Sequence, residues 1–190
     1  MMHYEHTMLP YKLTWGLLAA LMFVSCDCNI ESKQHSEKSI PISPKATLIN
    51  DSIPKVTGIG GIFFRSKDPT NTKEWYGKNL GLVINDYGSS FEFRNANNPE
   101  DVNYLQWNIF DENTDYFEPS TKEFMINYRV QNIEGLVKQF KENGVQVLDE
   151  IESYDYGKFV HIMDPDGNKI ELWEPVDHVF TDSLKGNTTK

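Results

Sequence analysis

Between residues 55 and 175 the apolar positions switch repeatedly between strand-like and helix-like spacing, and they do so twice in the same order. Val56 to Ser66 is an apolar, β-rich stretch that predicts a strand. Asp68 and Pro69 follow as a helix N-cap and first-turn pair. Trp75, Tyr76 and Leu80 then supply the apolar face of a helix ending near Gly81. The same order returns further along: Phe124 to Val130 as strand, Asn132 as cap, and Leu136, Val137 and Phe140 as the helical face ending at Gly144. Arg65 matches Arg129 and Tyr76 matches Phe140, each 64 residues apart (129 − 65 and 140 − 76). Shorter strand signals come after each helix, at 82–87, 90–94 and 103–110 in the first copy and at 145–151, 158–163 and 169–173 in the second. The last two are joined by Asp164-Pro165-Asp166-Gly167-Asn168, in which Pro presets φ and Gly accepts positive φ, so a tight hairpin is expected. Each copy therefore reads β-α-β-β-β. The chemistry-bearing part is an α+β domain over 54–176, built from modules at about 54–110 and 123–175.

Composition narrows what this domain can do. A chain of 190 residues holds one compact domain or two half-size modules sharing a core. Eighteen basic against twenty-eight acidic side chains give a net charge of −10, which repels a phosphate backbone, so a general nucleic-acid partner is not expected. The only two cysteines, Cys26 and Cys28, precede the patterned region, and its stability must come from packing. His161 is the one histidine inside that region, which excludes a site built from several histidines.

The N-terminal part reads as an address. Residues 13–24 form a twelve-residue apolar run, too short to span about 30 Å of hydrocarbon at about 1.5 Å per residue. It has the form of a signal-peptide core, with an ordinary cationic start if translation begins at Met8. The run ends Leu21-Met22-Phe23-Val24-Ser25-Cys26, which resembles a bacterial lipoprotein cleavage site, with Phe23 where Leu is commoner. That resemblance implies a signal peptide over 1–25, a lipid on Cys26, and anchorage in the bacterial cell envelope, facing the periplasm or the surface. Residues 26–53 are rich in Ser, Lys, Glu, Asn and Pro without apolar periodicity, which describes a solvated tether. Residues 177–190 are polar and expected to fray.

The patterned region resembles the vicinal-oxygen-chelate superfamily of glyoxalases, extradiol dioxygenases and bleomycin-resistance proteins. The resemblance rests on Lys67-Asp68-Pro69 through Trp75-Tyr76 and Leu80-Gly81, and on the closing run Asp164-Pro165-Asp166-Gly167-Asn168-Lys169-Ile170-Glu171-Leu172. It implies a glyoxalase-like fold in which the two modules pair into a curved sheet and ligands sit in the cleft between them, in a monomer or a homodimer. It also implies metal-ligand positions at Gly61, Gln106, Met125 and Glu171. Glycine offers no side chain and a thioether is a poor partner for a hard divalent ion, so the usual ligand set is broken and no resident metal is expected.

By family register, His161 also faces the cleft, close to Glu171, and three readings of the pair stand side by side. They can simply hydrogen-bond across adjacent strands. They can work as a metal-free acid/base pair, the carboxylate orienting the imidazole. They can join Gln106 in holding a divalent metal such as zinc or manganese. Strand alternation turns Phe63, Arg65, Tyr104, Asn108, Asn127, Arg129, Phe159, Met163 and Trp173 to the same side, a mixture of aromatic walls and polar groups that suits a small molecule. Arg65 and Arg129 either clamp an anion or pair with surface acids. Ile62, Phe64, Ile126, Tyr128, Ile170 and Leu172 point to the opposite face and should pack under the helices. The Tyr116-Phe117 pair in the segment between modules either covers the cleft or packs on the surface. The expectation that follows is a membrane-tethered, small-molecule-binding domain without the standard metal site. The alternative is a lyase or isomerase using His161 and Glu171.

Overall fold

The computed structural model describes residues 53–190; the apolar run at 13–24, Cys26 and the tether lie outside the described residues. The first module holds β1 (Lys55–Ser66), α1 (Pro69–Leu80), β2 (Gly88–Arg94) and β3 (Val102–Asp111). The second holds β4 (Phe124–Gln131), α2 (Ile133–Glu142), β5 (Gln146–Val147), β6 (Glu152–Tyr154), β7 (Gly157–Met163) and β8 (Lys169–Pro175), and α3 (Asp177–Leu184) follows. The helices begin where the caps predict: the Asp68 side chain accepts from the Asn71 amide and the Asn132 side chain from that of Gly135. Gly81, at φ 73°, ends α1 in the left-handed conformation.

All eight strands form one unclosed sheet, in the order β2-β3-β1-β4-β8-β7-β5, with β6 on the far part of β7. Antiparallel pairing of β1 with β4 joins the modules and aligns Ile62 with Ile126, Phe63 with Met125 and Gly61 with Asn127. Because 62 and 126 are 64 apart, the repeat maps this register onto itself, and an internal pseudo-twofold axis runs between the two isoleucines. The repeat's two copies thus pair into the curved sheet that the family resemblance implies.

On the face opposite the cleft, Ile133 and Leu136 of α2 pack with Val130, Val160, Ile162 and Leu172, and with the partly buried Tyr128 and Ile170. Coverage of the first module is thinner. Tyr76 packs on Trp107 with ring centroids 4.6 Å apart, but α1 buries no residue fully, and Trp75, Leu80 and Ile62 stay exposed rather than lying under a helix.

Two stretches depart from the strand pattern, and the tail departs from its polar reading. Residues 82–87 contribute a single bridge, Ile84 to Ser89, and residues 145–151 only the two-residue β5. The tail does not fray. Phe180 of α3 packs edge-on to Trp173 and beside Tyr104, while Asp177 forms an ion pair with the buried Arg129. Beyond α3, Thr189 bridges to Phe91 and its hydroxyl bonds with that of Ser89 at 2.8 Å, which extends the β2 edge. A polar composition concealed an anchor made of one acid and one aromatic ring.

Removing that anchor strands a buried guanidinium, so Asp177→Ala should lower unfolding stability by about 2–4 kcal/mol. Urea unfolding measures it; a loss below about 0.5 kcal/mol, the range of neutral surface changes, would show that the tail is not held this way.

Candidate functional site

Strand register assembles one row of side chains across the concave face. Ser90 on β2 lies beside Gln106 on β3, Gln106 beside Gly61 on β1, Gly61 beside Asn127 on β4, Asn127 beside Glu171 on β8, and Glu171 beside His161 on β7. A β-bulge at Gly60 and Gly61 lies at the centre of the row. A β-carbon at Gly60 would stand 2.9 Å from the Trp173 ring and collide with the Asn127 amide; one at Gly61 would stand 2.6 Å from the Phe63 ring. Both glycines are therefore required by the side chains folded over them.

Glu171 is the electrostatic centre and only 3% exposed. Asn127 Nδ2 donates to its Oε1 at 2.5 Å, while Oε2 accepts from the Tyr116 hydroxyl and lies 3.0 Å from His161 Nε2. The other ring nitrogen of His161, Nδ1, lies 2.6 Å from Asp149 Oδ2, and the backbone N–H of His161 donates to Asp149 Oδ1 at 2.7 Å. An imidazole whose two nitrogens both face carboxylates is a donor at both, which is the protonated form. Burial opposes that charge, but the hydrogen bond and charge of Glu171, with the hydrogen bond of Asp149, overcome it and raise the pKa of His161. Burial first, then the charge and hydrogen bond of Glu171, lift Tyr116 well above the ordinary phenol range, so its proton stays on the ring oxygen. Tyr116, Glu171, His161 and Asp149 form a continuous chain from the cleft to the surface, able to hold a proton at either imidazole nitrogen.

The segment between modules crosses the cleft, as one of its two expected roles required. Phe117 is fully buried against Phe63, Met125 and Phe110, and Tyr116 stacks on Phe110. Lys169 Nζ donates to the Tyr116 carbonyl at 2.7 Å, and Arg65 Nη2 to that of Thr114 at 3.2 Å. Burial lowers the pKa of Lys169 against the opposing pull of Asp149 and Glu171.

The predicted site residues fare unequally. His161, Glu171, Gln106 and Asn127 meet in the row. Phe63 belongs to the small core under Phe117, and Arg65 is spent on the crossing segment. Tyr104, Arg129, Phe159 and Trp173 gather at the other end, where Arg129 donates to the Tyr104 carbonyl at 2.9 Å, pairs with Asp177 and lies over the Trp173 ring. Phe159 stacks on Trp173 at 5.9 Å, and Asn108 is half-buried beside Gly88. Arg129 is held by Asp177 and the Tyr104 carbonyl, whereas Arg65 gives Nη2 to Thr114 and keeps its buried Nε without a partner. The β4 residue beside Glu171 is Asn127 rather than Met125, whose side chain packs in the core instead. Ser90, Asp149 and Lys169 were not anticipated. Lys169 has the parity of Glu171 and was open to prediction; Asp149 lies in the 145–151 stretch read as a strand, of which only Gln146–Val147 pairs, so alternation does not place it.

The residues present do not fit a divalent metal. The ring of Phe63 blocks a ligand at position 61, all the donors around Glu171 are protein groups, and His161 has both nitrogens engaged. Among the described residues, no group of three or more His, Cys, Asp or Glu is arranged to hold an ion. Two buried atoms of the row lack partners: Gln106 Nε2, whose Oε1 accepts from Ser90 Oγ at 2.8 Å, and Asn127 Oδ1. Beyond the Arg129 end, an open basin of about 1150 Å³ lies between the β2–β3 hairpin and the start of α3, lined by Arg129, Phe93, Asn103 and Thr181 among others.

The pH dependence of stability follows from His161. A histidine whose folded pKa is raised contributes stability fully present below its unfolded pKa, near 6.5, and lost as pH climbs through the folded value. Urea unfolding between pH 6 and 9 should show stability falling with pH in the native chain and a flatter profile in His161→Gln. Parallel profiles would mean that the imidazole is not held as a cation.

Comparison with known proteins agrees with this architecture. The model of the family described as "Glyoxalase-like domain" matches residues 60–177. Methylmalonyl-CoA epimerase from Mycobacterium tuberculosis is 20% identical, with a TM-score of 0.46 over 66% of this chain and 93% of that one. A glyoxalase/bleomycin resistance protein/dioxygenase superfamily member from Vibrio splendidus 12B01 is 15% identical, with a TM-score of 0.39 over 64% and 99%. The Mn(II)-bound glyoxalase from Novosphingobium aromaticivorans is 12% identical, with a TM-score of 0.43 over 64% and 40%. No curated protein matches the sequence. With its sheet order, internal repeat and a family match over more than half its length, the chain belongs to the glyoxalase-like domain family.

Proposed function

We propose that this chain is a small-molecule-binding member of the family that works without a resident metal and is held at the bacterial envelope by a lipid on Cys26. One observation carries the binding reading. In the central row the charged group, Glu171, is saturated by protein donors, while two neutral amides keep one buried atom each without a partner. A buried unpaired polar group costs about 1–3 kcal/mol. A neutral ligand offering an acceptor to Gln106 Nε2 and a donor to Asn127 Oδ1, as a carboxamide, lactam or hydroxyl compound does, removes both costs. At the row, anions are disfavoured by Glu171 and by the engagement of Arg129 with Asp177. The anchor reading is supported by the apolar run at 13–24 and the Ser25-Cys26 junction.

The metal-free part is tested by soaking the purified protein in zinc, nickel, manganese and iron, then dialysing and measuring bound metal. No stoichiometric retention is expected, and one tightly held equivalent contradicts the reading. In a thermal-shift panel, neutral amide or hydroxyl compounds should raise the melting temperature and carboxylates should not. A ligand at 100 times its Kd stabilises by about 2.7 kcal/mol, and Gln106→Leu should weaken that binding on the order of tenfold, the worth of one hydrogen bond. A panel answered only by anions contradicts it. For the anchor, Cys26→Ser should abolish incorporation of labelled palmitate and release the chain to the soluble fraction; unchanged labelling contradicts lipidation at Cys26.

A further inference from the structure

All of α3 except its first residue, Asp177, lies beyond the stretch matched by the family, 60–177. This helix and the β2–β3 hairpin wall the open basin of about 1150 Å³, and Gln106, Asn127, Glu171 and His161 take no part in its lining. The basin is therefore a second concavity, separate from the central row. Its charge is lopsided. Glu100 and Asp101 on the hairpin, Glu174 on β8 and Asp177 on α3 stand against Arg94 and Arg129, two guanidiniums to four carboxylates and a formal balance of 2 − 4 = −2. Arg129 is already held by Asp177 and the Tyr104 carbonyl, and Arg94 Nη1 donates to the Glu100 carbonyl at 3.3 Å.

Polar groups in the same walls are left open. Asn103 on β3 is only 8% exposed, and its side-chain amide has no hydrogen-bond partner among the described residues. Asp177 gives Oδ2 to Arg129, while its buried Oδ1 has no partner. Glu174 Oε2 accepts from the Ile133 amide at 3.0 Å, which leaves Oε1 unbonded among the described residues. A buried polar group without a partner costs about 1–3 kcal/mol, and more where it is charged. Each of these groups accepts hydrogen bonds, so the ligand they suit is a positively charged donor. Among the described residues no three His, Cys, Asp or Glu are arranged around one point to hold a metal ion, so positive charge spread along a chain fits these separated acids better than a point cation. Phe93, 36% exposed, lines the basin with Val102 and Val176 and supplies apolar surface between the acids. We propose that the basin binds an aliphatic polyamine, its ammonium groups shared among the carboxylates and the Asn103 amide oxygen and its methylenes lying along Phe93.

Isothermal titration of spermidine into the purified full-length protein tests this, at about 0.15 M salt, where exposed charges are screened beyond about 8 Å. One spermidine per chain should bind. Asn103→Ala, which leaves the net charge unchanged, should weaken binding on the order of tenfold, the worth of one charge-assisted hydrogen bond. The double variant Glu100→Gln/Asp101→Asn should weaken it at least as much, whereas Glu74→Gln, which removes a carboxylate from α1 outside the basin, should not change it. Unchanged affinity in either basin variant, or an equal loss in Glu74→Gln, would mean diffuse attraction to an acidic chain and overturns the site. Displacement of spermidine by an equal concentration of magnesium, or tighter binding of an acetylated dilysine amide, overturns the polyamine as its occupant. Should Asn103→Ala lose its native circular dichroism, the double variant on the exposed hairpin decides the matter.

Discussion

A carboxylate taken out of water needs several kcal/mol of compensation, and in this protein the burial of Glu171 sets that demand at the middle of the cleft. Three donors from three separate parts of the chain meet it: Tyr116 from the segment between modules, Asn127 from β4 and His161 from β7. The crossing segment is thereby tied to the second module, β4 is tied to β8 through side chains as well as backbone, and His161 becomes a cation that in turn holds Asp149. Removing any one donor leaves the others around an under-compensated charge, so the cleft behaves as a single cooperative unit.

Much of the remaining hollow is filled from within. Phe117 occupies one end against Phe63 and Met125, Phe180 caps the other against Trp173 and Tyr104, and the Gly60–Gly61 bulge lets Asn127 and Phe63 settle directly on β1. Where the family places a metal ligand, this chain places an aromatic ring. What is left unsatisfied in the central row is neutral, one amide donor and one amide acceptor, and that unmet bonding is the basis for assigning a neutral ligand. Both arginines that might have answered an anion instead fasten the chain to itself, Arg65 at Thr114 and Arg129 at Asp177.

The repeat of 64 and the two-residue alternation of strands made the order of elements and the two faces of each strand legible, while the cleft-forming sheet and the meeting of His161 with Glu171 were expected from the resemblance to the family. Other features depended on contacts between distant parts of the chain. Residues 82–87 have strand-like composition but find only one partner in Ser89. The neighbour of Glu171 is Asn127 because the β4–β8 register is set by pairing, whereas the resemblance implied Met125 as the β4 ligand position. The tail looks like solvent-exposed chain until Arg129 and Trp173 are in place to receive Asp177 and Phe180. The exposure of Ile62 was equally hidden: alternation placed it on the helix-bearing face, but only the positions of α1 and α2 reveal that neither covers it.

The account turns on His161 being a cation clamped between two carboxylates. Nitrogen-15 NMR of the histidine ring at pH 7.5 tests this most directly. Both Nδ1 and Nε2 should carry protons, the signals should be indifferent to added zinc, and the charged form should be lost in Glu171→Gln. A neutral ring with one bare nitrogen, or a resonance that moves with stoichiometric zinc, would contradict the central claim.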